Sequence, residues 1–134
     1  MRRLREVLLQ MHAEAEEWLR RLCEAGYTVV LFGSRARGEA RIDSDWDVVV
    51  LGYTPPEPPP HDLVQAHFAK PEEAEEKIRA FNTIFLDAFY EGRLLCGDEE
   101  LFTRLRDLTR RVTSRYAKTR DGWILRGDVP QRNR

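Results

Sequence analysis

The amino-acid sequence predicts an α+β fold: a short β-sheet of three to four strands with helices packed against it. Three patterns carry that expectation. The first 24 or so residues repeat apolar side chains at helical spacing. Two compact apolar runs of strand character, 27–32 and 46–51, lie close together in the chain. A second long stretch of helical periodicity follows at 71–91. A chain of 134 residues is one domain by length, large enough for a real core.

Leu4, Val7, Leu8, Met11, Ala15, Trp18, Leu19 and Leu22 mark one face of the first helix, with Arg and Glu on the other. Gly26 stands where a C-terminal cap would end it. Trp18 and Met11 lie on the apolar stripe, as core residues do. His12 lies beside it and is expected in solvent. Tyr27 to Phe32 is bounded by glycines and apolar on both faces, the pattern of a covered central strand. Ser34 to Glu39 reads as a short helical turn, and Trp46 to Leu51 as the second strand. The five prolines within residues 53–60 make a stiff extended loop. His61 to Phe68 can form a third strand, with Asp62, Val64, Ala66 and Phe68 on one face; His61 and His67 are expected at the surface. Pro71, followed by Glu72 and Glu73, opens a helix with the stripe Ala74, Ile78, Phe81, Phe85, Ala88 and Phe89. Its aromatic residues, with Tyr90, exceed what one sheet face readily covers and could leave an interaction patch. Gly92 ends this helix, Arg93 to Cys96 can form a short strand, and Asp98 is a good N-cap for a last helix carrying Leu101, Leu105, Leu108, Val112 and Tyr116. From about residue 119 the chain is a basic tail, expected to be disordered except where Trp123, Ile124 and Leu125 dock.

Composition narrows the function. Charged residues make up 34% of the chain, yet the formal net charge is −1, so there is no global basic field for nonspecific nucleic-acid binding. A nucleic-acid partner is therefore not expected. Cys23 and Cys96 form neither a disulfide framework nor a metal-binding CxxC pair, and are expected as reduced thiols. With no secretory h-region and no long apolar span, the expectation is a cytoplasmic protein without a membrane partner.

The chemistry concentrates in residues 33–47, Gly-Ser-Arg-Ala-Arg-Gly-Glu-Ala-Arg-Ile-Asp-Ser-Asp-Trp-Asp. Gly33 permits an unusual dihedral and close backbone approach. Ser34 offers a hydroxyl, and the amides after it begin a helical turn of the kind that binds phosphate. Arg35 and Arg37 could add charge-assisted contacts to a triphosphate, and Ser44 could orient the turn before Asp45. The period of two places Asp45 and Asp47 on one strand face, about 6.5–7 Å apart along the chain. Carboxylates that close suit divalent metal. Mg²⁺ favours a couple of carboxylates completed by phosphate oxygens and water.

Gly-Ser-x-x-x-Gly followed by Ser-Asp-x-Asp resembles the DNA polymerase beta-like nucleotidyltransferase superfamily, and the small size resembles its minimal nucleotidyltransferase branch. The resemblance spans residues 33–47 in full and extends by element order over roughly 27–70. It implies a mixed sheet in a nucleotidyltransferase domain over residues 1–118. It also implies two Mg²⁺ ions (or Mn²⁺) held by three carboxylates, and transfer of a nucleoside monophosphate, AMP from ATP by default, to a hydroxyl with release of pyrophosphate. By position, Gly33 and Ser34 would hold the triphosphate, and Asp45 and Asp47 the metals. The third carboxylate belongs on the next strand, where Asp62 is the candidate. Asp87 is its rival, and Asn82 would take the place if the third strand were 82–86. The branch also resembles antitoxins that pair with small helical HEPN proteins, sometimes adenylylating a tyrosine on them. That leaves a second expectation, a binding module that acts mainly by contact.

Overall fold

The computed structural model describes residues 3–128. Its elements are α1 (Leu4–Glu24), β1 (Thr28–Phe32), β2 (Trp46–Leu51), β3 (Val64–Ala69), α2 (Pro71–Arg79), α3 (Thr83–Glu91), β4 (Arg93–Cys96), α4 (Glu99–Val112), β5 (Tyr116–Thr119) and β6 (Gly122–Leu125), with a 3-10 turn at Arg126–Asp128. The part of the basic tail at 129–134 lies outside the described residues.

Four strands form one mixed sheet in the order β3-β2-β1-β4. β1 runs antiparallel to β2 and β4, whereas β2 and β3 are parallel. A parallel pair needs a long return, and the proline loop supplies it. That loop runs along α1: the Glu57 carbonyl accepts from Trp18 Nε1 at 3.1 Å, and the Glu57 carboxylate takes Arg21 Nε at 2.8 Å.

The sheet is covered on both faces, which explains why β1 is apolar throughout. One face packs Val29, Leu31, Val48, Val50 and Val64 against Ala15, Trp18, Leu19 and Leu22 of α1. The other packs Val30, Phe32, Val49, Leu51 and Ala69 against α2, α3 and α4. Each fully buried aliphatic or aromatic side chain in these layers contributes about 1.5–3 kcal/mol of burial free energy.

Five expectations need correction. The last helix ends at Val112, and Tyr116 opens β5 instead of completing its stripe. Residues 71–91 form two helices, not one. Phe81 takes a left-handed φ of 61°, and the Asn82 side chain accepts from the amides of Ile84 and Phe85, so a new helix starts there. The third strand begins at Val64, later than His61. The two cysteines are not reduced thiols: Cys23 at the end of α1 and Cys96 at the end of β4 are joined in a disulfide. Finally, none of the three histidines is simply at the surface. His12 is half-buried, donating through Nε2 to the Ile42 carbonyl at 2.6 Å and accepting Trp46 Nε1–H at Nδ1 at 2.9 Å. His61 donates to the Met11 carbonyl at 2.7 Å, and His67 packs against the Phe32 ring.

Part of the aromatic surplus around α2 and α3 finds cover, although Tyr90 stays exposed. β5 and β6 form a hairpin, and Phe81 stacks on Tyr116 with ring centroids 4.4 Å apart while Tyr90 meets Trp123 edge-on at 4.8 Å. The hairpin is anchored through Asp87, which accepts from Trp123 Nε1 at 2.9 Å and pairs with Lys118 at 3.3 Å.

Candidate active site

β1 ends at Phe32 and the chain turns through Gly33 at φ +75°. The turn closes by backbone bonds from Arg37 N to the Gly33 carbonyl and from Glu39 N to the Ser34 carbonyl. It lies directly over the start of β2, where Phe32 is the register partner of Asp47. The approach is so close that a Cβ on residue 33 would stand 2.5 Å from Asp47 Oδ2 and 3.3 Å from its Cγ. Gly33 is therefore required twice, for its dihedral and for the room its missing side chain leaves to the carboxylate.

Asp45 is exposed just before β2, and Asp47 is half-buried within it. Burial pushes the Asp47 carboxyl above its ordinary pKa, and the neighbouring Asp45 charge pushes the same way. A bound cation would relieve both penalties. A pair of carboxylates completed by phosphate oxygens and water is the kind of ligand set Mg²⁺ takes.

The flanking residues divide. Ser44 accepts from the Arg41 amide through Oγ at 2.8 Å, closing the turn that delivers Asp45. Arg35 points away from solvent: its NH2 donates to the Ser44 carbonyl at 2.8 Å, and its guanidinium lies 4.5 Å over the Trp46 ring. Burial lowers the pKa of Arg35, partly offset by Glu16, Asp45 and Asp47. Arg37 is held in reach of the turn by Glu39 at 2.7 Å and by Glu91 of α3 at 2.8 Å. A cleft of about 230 Å³ opens beside it, lined by Arg37, Glu39, Glu91, Lys118, Thr119 and Arg120.

The structure does not bring Asp62 to this group. Asp62 is exposed in the turn before β3, and its carbonyl accepts from Gln65 Nε2 at 2.7 Å. Within β3, Val64, Ala66 and Phe68 face α1, whereas Asp47 shares the face of Val49 and the other helices. Asp87 is occupied by Lys118 and Trp123, and Asn82 caps α3. The register partner of Asp47 on β3 is Gln65, with His67 next on that face. Burial lowers the pKa of His67, with Asp47 opposing. Sequence reasoning missed both residues, although moving the strand boundary two or three positions along would have found them. Among the described residues no group of three or more His, Cys, Asp or Glu side chains is arranged to hold a metal ion.

A glycine turn lies beside one aspartate at the start of β2 and another just before it, at the end of a mixed sheet. Residues 13–113 match the nucleotidyltransferase domain family, so the chain belongs to that family of transferases. No curated protein matches. One similar solved structure is described as a crystal structure of a toxin-antitoxin with AMP-PNP. It is 17% identical, covers 74% of this chain and 86% of its own, and has a TM-score of 0.44. A likeness that loose carries no weight for ligand or partner.

Proposed function

We propose that the protein transfers a nucleoside monophosphate, AMP from ATP, to a hydroxyl acceptor, with Gly33, Ser34 and Arg37 holding the triphosphate and Asp45 and Asp47 holding a divalent cation. The observation that carries the reading is the close approach of Asp47 to Gly33, where a Cβ would stand 2.5 Å from Oδ2. A turn suited to phosphate and a carboxylate suited to metal are then side by side. When bound, the cation, Mg²⁺ or Mn²⁺, neutralises charge on the phosphates. The acceptor oxygen forms a bond to the α-phosphorus, the bond from that phosphorus to the bridging oxygen breaks, pyrophosphate leaves with the electron pair, and the acceptor proton passes to a base.

Arg35 is a positioning residue in this reading, because its hydrogen bond is already given to the backbone of the metal loop. The acceptor we propose is a tyrosine on a small helical HEPN-type partner, following the resemblance to minimal nucleotidyltransferases. A contact-only antitoxin is the second reading, and the uncharged Gln65 beside Asp47 favours it. No helix among the described residues is long and apolar enough to cross a membrane.

The test is incubation of α-labelled ATP and Mg²⁺ with the protein encoded beside this one. Label is expected on that partner with the wild-type chain and not with Asp45→Asn/Asp47→Asn. Equal labelling by both would refute the catalytic reading. Neutralisation of the partner by the unlabelling variant would support the contact reading.

A further inference from the structure

We infer that Gln65 replaces a carboxylate on the acceptor side of the site, so that the chain holds one divalent cation with its nucleotide and transfers slowly. The inference rests on the donor site proposed above. Its first support is register: Asp47 and Gln65 are direct neighbours across β2 and β3 and share a sheet face. No other strand residue of β3 is closer to Asp47 in that geometry. Its second support is topology. β3 is the edge of the sheet, so among the described residues no strand beyond it brings another side chain to Gln65. The rival acids are accounted for, since Asp62 lies exposed in the turn before β3 and Asp87 is bound to Lys118 and Trp123. His67 lies one residue pair deeper, opposite Val49, against the Phe32 ring.

The chemical consequence follows from the amide. Its oxygen can accept a hydrogen bond, but it carries no charge to hold a second cation and takes no proton at neutral pH. As the bond from acceptor oxygen to α-phosphorus forms and pyrophosphate leaves, the acceptor proton must go to water. A positioned base contributes typically 10²–10⁴-fold to such a step. The two aspartates and the Gly33 turn do not depend on Gln65, so nucleotide binding is retained while transfer is slowed. Gln65 is exposed, which makes its replacement by an acid tolerable to the fold.

The experiment uses the full chain with Mn²⁺ as the probe. Mn²⁺ bound per chain is counted by electron paramagnetic resonance at saturating α,β-methylene ATP. Pyrophosphate release from ATP is measured separately, with water as acceptor. Wild type should bind one Mn²⁺. Gln65→Asp or the longer Gln65→Glu should bind two and release pyrophosphate about 100-fold faster, with nucleotide affinity changed less than threefold. Two ions in the wild type, or folded variants of both kinds with unchanged rate, would overturn the inference while leaving the donor site standing. Absence of any nucleotide-dependent Mn²⁺ binding by the wild type would instead overturn the donor site, and this inference with it.

Discussion

Replacing Gly33 with alanine should damage the protein in two separable ways. The backbone at 33 has φ +75°, and a left-handed conformation costs an L-residue roughly 1–2 kcal/mol. The new Cβ would also stand 2.5 Å from Asp47 Oδ2, forcing the carboxylate off its rotamer for about 0.5–1.5 kcal/mol more. The sum, about 1.5–3.5 kcal/mol, corresponds to a melting-point fall of roughly 5–15 °C for a domain of this size. Gly38 supplies the control. Its φ is also +75°, but a Cβ there meets nothing within 4 Å, so Gly38→Ala should lose only the backbone part. In an Asp47→Ala background the clashing Oδ2 and Cγ are gone, and Gly33→Ala should then cost no more than Gly38→Ala. Urea melts of the single and double variants give this cycle, and Mn²⁺–nucleotide titration should show at least tenfold weaker binding for Gly33→Ala alone among the two glycine variants. If Gly33→Ala and Gly38→Ala are equally costly, and the Asp47→Ala background changes neither, the claimed contact between turn and carboxylate is wrong.

Asp47→Asn should raise the melting temperature at pH 7. The folded pKa of Asp47 lies above its unfolded value, so the ionised form is disfavoured by folding; the penalty is full above the folded pKa and vanishes below the ordinary carboxylate range. The gain should therefore shrink as melts are taken from pH 7 down toward pH 4, and a gain that does not shrink would rule out ionisation as its source. Asp87→Ala should cost about 1–2 kcal/mol and free the hairpin, seen as a red shift of Trp123 fluorescence and faster proteolysis within 116–125, because both Lys118 and Trp123 lose their anchor; unchanged cleavage would mean the ring contacts suffice. Reducing the Cys23–Cys96 disulfide, which closes a sequence separation of 73, should lower stability by about 2–4 kcal/mol. A melting point indifferent to reductant would show that the two thiols contribute nothing as a cross-link.

The elements legible in the sequence were those whose burial is one-sided and periodic. α1 announces itself by a stripe, β1 and β2 by apolar runs against glycine or aspartate, and α4 by the Asp98 cap, whose side chain accepts from Leu101 N. What was not legible depends on partners distant in the chain. The break between α2 and α3 needs Phe81 to turn back onto Tyr116 and Trp123, and only the hairpin makes that left-handed residue worthwhile. Asn82 was the available signal, since it is a poor helix-interior residue and a good cap. The disulfide joins residues 23 and 96 across α1 and β4, which periodicity does not relate. At the site, Asp45, Asp47 and Gly33 were legible because turn chemistry and strand parity are local. The side chain opposite Asp47 was not, because it depends on the β2–β3 register, and a start taken at His61 instead of Val64 reads the wrong face as inward.

The two halves of the site are built to different standards, and this separates affinity from rate. In the proposed reading the donor half is fixed before any nucleotide arrives. His12 reaches from α1 to the Ile42 carbonyl and to Trp46 Nε1, while Arg35 lies on Trp46 and binds the Ser44 carbonyl, so the loop that delivers Asp45 is tied at 42, 44 and 46. Because those ties use the Arg35 charge internally, Arg37 is the cation proposed to answer a triphosphate; its carboxylate partners Glu39 and Glu91 hold it at the mouth of the turn and raise its pKa. Exchanging those surface ion pairs for phosphate costs little, since exposed pairs are worth about 0–1 kcal/mol. The acceptor half has no comparable framework. It ends on an edge strand with an exposed amide whose hydrogen bond goes back to its own turn at Asp62. Preorganisation on one side and an open edge on the other mean that substitutions around His12, Arg35 and Gly33 act on nucleotide binding, whereas a substitution at Gln65 acts on turnover.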